Sequence, residues 1–136
     1  MGKRSVSLPL AVLAAFCVCG TGAAEEELAP GYDQCMDKAR TTSDYVECAD
    51  DAFCHWDVIL NENYQKAMKR CPYDTDEACA AYVGRLREAE RAWLRYRDAT
   101  VAFLSQKLGG THDRVEASVF AAEATRAQAR LLSAPE

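Results

Sequence analysis

The stretch from Arg85 to Leu104 contains neither glycine nor proline, and most of its residues are strong helix formers. Leu86, Ala89, Trp93, Thr100 and Leu104 recur at spacings of three, four and seven, so one face of a helix carries them all. Arg97 stands on that same face. An arginine on an apolar stripe either snorkels outward or meets a carboxylate, because leaving it buried and unpaired costs several kcal/mol. The chain is therefore constrained to supply a partner helix, and one that carries acid.

Such a helix lies just upstream. Asp44 to Arg70 is again free of glycine and proline, with Tyr45, Ala49, Ala52, Phe53, Trp56, Ile59, Leu60, Tyr64, Ala67 and Cys71 following a helical stripe. Thr41 and Asp44 stand at capping-box spacing before it. Cys71-Pro72-Tyr73-Asp74-Thr75-Asp76 breaks the pattern, and the acids Asp76 and Glu77 suit the start of the next helix. The two long helices make an antiparallel hairpin turning near residue 75, so residues whose numbers sum to about 150 lie level across it. Asp57 then falls opposite Trp93 and within one turn of Arg97, which predicts an Asp57–Arg97 ion pair. Tyr64 falls opposite Leu86, and Tyr64 and Trp93 are expected in the core. Gly109-Gly110 ends the second long helix, and Asp113 with Glu116 can cap a last, alanine-rich one over about 114–132. Its apolar side is either Val115, Val119, Ala122, Arg126 and Ala129 or Phe120, Ala124, Ala127 and Leu131. The expected fold is all-α: a long helical hairpin packed with a C-terminal helix into a three-helix bundle, disulfide-stabilised, with a short helical appendage around Tyr32 to Arg40.

Ahead of this lies an export signal. Lys3 and Arg4 precede an uncharged run with an apolar centre at Leu8 to Cys19, and Gly22-Ala23-Ala24 stands before Glu25-Glu26-Glu27. The apolar centre is shorter than the roughly 20 residues of a membrane span, so residues 1–24 read as a signal peptide cleaved after Ala24. Phe16 and Val18 precede Cys17 and Cys19 where lipoprotein processing prefers small residues, which disfavours a lipid anchor. Residues 25–31, polar and containing Pro30, read as a flexible lead-in, 32–132 as the helical domain and 133–136 as a disordered tail. The expected location is periplasmic or extracellular, with no stable membrane span in the mature chain.

Removing 24 of 136 residues leaves 112, enough for one small domain, and losing Lys3 and Arg4 takes the formal charge from −5 to −7. That charge argues against nucleic acid and favours a basic partner, although solubility alone also explains it. Five cysteines remain, and in an exported chain they pair. Cys71 faces Cys79 across the turn. Cys54 and Cys71, on one helix, stand about 25 Å apart and cannot bond, so the other bridge joins Cys35 to Cys48 or to Cys54.

Nothing in the sequence is built for catalysis. There is no nucleophile motif, glycine-rich phosphate loop or metal-ligand spacing, and no cofactor is implied. His55 beside Cys54 could begin a metal site, but adjacent helical residues point about 100 degrees apart, and a structural zinc needs four converging ligands. His112 is a lone histidine near a loop.

Cys48, Asp57, Leu60-Asn61 and Tyr64, followed by Arg91-Ala92-Trp93-Leu94, Arg97-Asp98-Ala99 and Gly109-Gly110-Thr111, form an ordered set. In these the chain resembles the lysozyme inhibitor LprI-type N-terminal domain family, small exported bacterial helical proteins, over most of the chain from Tyr32 to Leu132. Cys35 and Ala39 resemble the version with a cysteine ahead of the hairpin. The chain departs from the family pattern at Thr100 and Val101, where many members carry a cysteine, and at Phe120 and Ala121, where those members often carry another. Glu90 replaces the usual glutamine. The missing cysteine near 101 would have lain level with Cys48, so its absence leaves Cys48 to Cys35 and Cys54 unpaired. The resemblance implies a non-catalytic lysozyme inhibitor that docks on a basic lysozyme-like protein. Asp74, Asp76 and Glu77, beside the Cys71–Cys79 clip, are the expected contact. The alternative is a non-catalytic accessory or structural envelope protein.

Overall fold

The structure is a computed structural model that describes residues 26–133; the expected signal segment and Glu25 lie outside them, as do the last three residues of the tail. Four helices follow in order: α1, Tyr32–Lys38; α2, Thr42–Lys69; α3, Asp76–Leu104; and α4, Thr111–Leu131. Each long helix begins where the chain offers a cap. Thr41 accepts from the Asp44 N–H at 3.2 Å, while the Asp44 carboxylate accepts from the N–H groups of Arg40 and Thr41, each at 2.9 Å. Thr75 starts α3 by accepting from the Ala78 N–H at 3.2 Å.

Asp113 sits inside the first turn of α4 rather than ahead of it, and α4 begins three residues earlier than the sequence suggests. Its buried carboxylate reaches back to accept from Leu108 at 2.6 Å, Gly109 at 2.8 Å and Gly110 at 3.4 Å. Gly109 adopts a φ of 73°, which an L side chain rarely takes, so the loop can wrap this carboxylate. Those N–H donors, Leu108 foremost, hold the Asp113 carboxyl below its ordinary value of 3.8. The unfolded chain therefore takes up the proton first as pH falls. The contribution of Asp113 is whole above the unfolded value and is lost as pH falls through the folded one. Asp113→Asn should flatten this part of the acid limb while lowering stability at neutral pH, as urea midpoints from about pH 6 to pH 3 will show.

The three long helices pack as a bundle, but the closest backbone approach is between α2 and α4. The buried residues of the two helices are mostly small: Ala49, Ala52 and Ala67 on α2, and Ala117, Ala122, Thr125 and Ala129 on α4. Alanine lets two helix axes come close, and the Asn63 amide crosses the seam to the Ala129 carbonyl at 2.8 Å. Helices α2 and α3 stand further apart, separated by half-buried large groups such as Phe53, Trp93 and Arg97. Tyr64 and Trp93 are partly buried and stand on this wider α2–α3 side.

The lead-in is also corrected. From Glu26 on it is not a loose tail: Leu28 and Ala29 are buried in one cluster with Ala52 and Ala122, with Tyr32, Phe53 and Trp56 packed around it. The Trp56 indole donates to the Leu28 carbonyl at 2.6 Å, and Arg130 pairs with Glu26 at 2.6 Å while lying 5.3 Å from the Trp56 ring. Gly31, at φ 83°, then turns the strap into α1. Helix α1 buries no residue of its own and is tied to α2 through Cys35–Cys48.

Candidate functional site: the clipped acidic turn and the groove beside it

The cysteines pair as Cys35–Cys48 and Cys71–Cys79, and Cys54 is free and exposed. The second bridge, with Cα atoms 5.4 Å apart, closes the α2–α3 turn. Asp74, Asp76 and Glu77 are all exposed on this turn, and none forms an ion pair among the described residues. Asp76 and Glu77 lie in the first turn of α3, where its dipole favours negative charge. One residue here escaped the sequence reading. Tyr73, inside the clipped loop, is half exposed and stands edge-on to Tyr82 with ring centroids 6.2 Å apart. It borders an open hollow of about 430 Å³ lined also by Thr75, Glu77, Ala78, Ala81 and Arg85. The signal was present in the sequence: an aromatic held between two bridged cysteines and flanked by acids is the type of residue that anchors interfaces.

Arg97 does not meet Asp57. Its Nη2 lies 2.9 Å from Asp98 Oδ1, and its guanidinium lies over the Trp93 ring at 5.0 Å and near the Phe53 ring at 5.3 Å. Asp57 instead accepts from the Asn61 amide at 3.1 Å. The wider α2–α3 separation offers Arg97 two aromatic faces and its neighbour Asp98 in place of a carboxylate from α2, although Arg97 Nη1 is buried with no hydrogen-bond partner. The expectation for its removal changes accordingly. Arg97→Ala should cost about 1 to 2 kcal/mol through lost packing and ring contact. Arg97→Met, which keeps the stem and deletes the unpartnered donor, should stay within about 1 kcal/mol of the parent in urea midpoint.

Between α2 and α3 runs a groove of about 250 Å³. Asp57, Leu60, Asn61 and Tyr64 line it from α2, and Arg87, Glu90, Arg91 and Leu94 from α3. Glu90 is buried at its base and accepts from the Gln128 amide of α4 at 2.8 Å. Among the described residues, no group of three or more His, Cys, Asp or Glu side chains is placed to hold a metal ion.

A family model described as lysozyme inhibitor LprI matches residues 35–132. The chain belongs to the lysozyme inhibitor LprI family. The match takes in both disulfides, the clipped turn, the groove and α4, and leaves out the Leu28–Ala29 strap. Neither the curated proteins nor the solved structures gave a match. Membership in LprI, an inhibitor family, together with two disulfides, fits an extracellular or periplasmic protein. Among the described residues, no helix is long and apolar enough to cross a membrane.

Proposed function

We propose that this LprI-family domain binds and inhibits a basic, lysozyme-like protein outside the cytoplasm, exported by the segment ending at Ala24, with the clipped turn as its contact. The family match carries the reading. The turn supports it in physical terms. Three unpaired carboxylates raise the rate of encounter with a basic surface, the Cys71–Cys79 bridge limits the entropy lost on docking, and Tyr73 offers an aromatic anchor beside an open hollow.

A turbidity assay with a lysozyme and the oxidised domain, at low and moderate salt, tests this. Inhibition should weaken as salt rises past about 0.15 M. Asp74→Asn, Asp76→Asn and Glu77→Gln together should slow association and flatten the salt dependence, and Tyr73→Ala should weaken binding by about tenfold or more. Unchanged affinity and salt dependence in both variants would exclude the turn. No inhibition by the parent at any salt would move the protein to a non-catalytic accessory role in the envelope.

A further inference from the structure

We propose that the groove between α2 and α3 binds a carboxylate-bearing saccharide, at a site separate from the clipped turn. The α3 wall holds Arg87 and Arg91, one helical turn apart and both exposed. Neither is in an ion pair among the described residues, although acids outnumber bases in the chain. The two acids of the groove each accept from an amide rather than from an arginine, Asp57 from Asn61 on the same wall and the buried Glu90 from Gln128 of α4. Two free guanidinium groups on one wall offer the planar, forked donors that hold a carboxylate in two hydrogen bonds.

The opposite wall suits hydroxyl groups. The Asn61 amide nitrogen already donates to the Asp57 carbonyl at 2.8 Å and to its carboxylate at 3.1 Å, which leaves the Asn61 side-chain carbonyl as an acceptor. Tyr64 adds a phenol that can donate or accept. Leu94, exposed on the α3 wall, supplies an apolar surface for the C–H face of a sugar ring. The volume is below the roughly 300 Å³ at which pockets for drug-sized ligands begin, which suits one ring of a longer chain lying along the open groove. A peptide fits less well: both walls are helices whose backbone groups are spent on their own hydrogen bonds, so no strand-like main-chain recognition is available.

Calorimetric titration of the oxidised protein, with no lysozyme present, decides the matter using three probes of similar length. These are an alternating N-acetylglucosamine–N-acetylmuramic acid tetrasaccharide, neutral N-acetylglucosamine tetramer, and a tetraglutamate peptide. The acidic saccharide should bind about tenfold or more tightly than either of the others. Arg87→Gln with Arg91→Gln should abolish that preference, Arg91→Lys should retain part of it, and Tyr64→Phe should weaken binding while keeping the preference for acid. Both arginines are exposed, so unchanged far-ultraviolet circular dichroism will establish that the variants fold. Equal binding of the neutral tetramer would overturn the role of the arginine pair. Equal binding of the peptide would overturn the saccharide, and no binding of any probe would overturn the site. Because lysozyme is absent from the titration, none of these outcomes bears on inhibition.

Discussion

Ala122→Leu should lower the stability of the domain by roughly 2 to 3 kcal/mol, near the upper end of what overpacking usually costs. Ala122 is fully buried in one cluster with Leu28, Ala29 and Ala52, at the seam where α2 and α4 approach most closely. A leucine there must push the helices apart or expel the Leu28–Ala29 strap, and either response disturbs contacts that the added methylenes cannot replace. Ala127→Leu is the control: Ala127 is exposed on the same helix, so the change should stay within about half a kcal/mol. Urea midpoints of the two variants against the parent give the comparison. Equal effects would mean that the seam is loose enough to accept a large side chain.

Removing the Cys35–Cys48 bridge as Cys35→Ser with Cys48→Ser should cost roughly 3 kcal/mol on the chain-entropy estimate for its loop. The buried position of Cys48 adds to this, since a serine there places a hydroxyl where the disulfide sulfur stood. The loss should also be local in character. Helix α1 buries none of its residues fully, so besides the bridge only the partly buried Tyr32 against the core cluster and the buried Ala39 hold it in place. Amide exchange over Tyr32–Lys38 should become fast in the double variant while the α2–α4 seam stays protected. Retained protection in α1 would show that the strap, not the bridge, keeps it in place.

Much of this architecture could be read from the residues because short-range rules governed it. Thr41 and Asp44 marked the start of α2 by their spacing, and the Pro72 turn set the level of the two long helices correctly, since Asp57 and Leu94, like Tyr64 and Arg87, do line one groove. The Asp57–Arg97 pair failed for a different reason. Level along a hairpin fixes neither the distance between axes nor what a third helix does to it, and α4 takes the close position beside α2. The face of α4 was equally obscure. In an alanine-rich helix hydropathy barely separates one stripe from the next, and the side actually buried, Asp113, Ala117, Ala122, Thr125 and Ala129, shares Ala122 and Ala129 with the first stripe offered and is otherwise turned away from it. Leu28 and Ala29 formed too short an apolar run to show any period at all. At the candidate site the acids of the turn were visible by charge, whereas Tyr73 and the arginine wall acquired meaning only once exposure and pairing were known.

The α2–α4 seam also determines the order in which the chain can assemble. Its contacts join residues far apart in sequence, as in the 66-residue separation between Asn63 and Ala129, with the whole of α3 between them. The tightest interface between helices is therefore a strongly non-local one, and closing it requires the chain to reverse twice before its burial offsets the entropy of the loop. The Cys71–Cys79 bridge fixes the first reversal in advance. Oxidation of that short loop before collapse shortens the conformational search for the seam, so the domain should refold faster from the oxidised chain than from the reduced one.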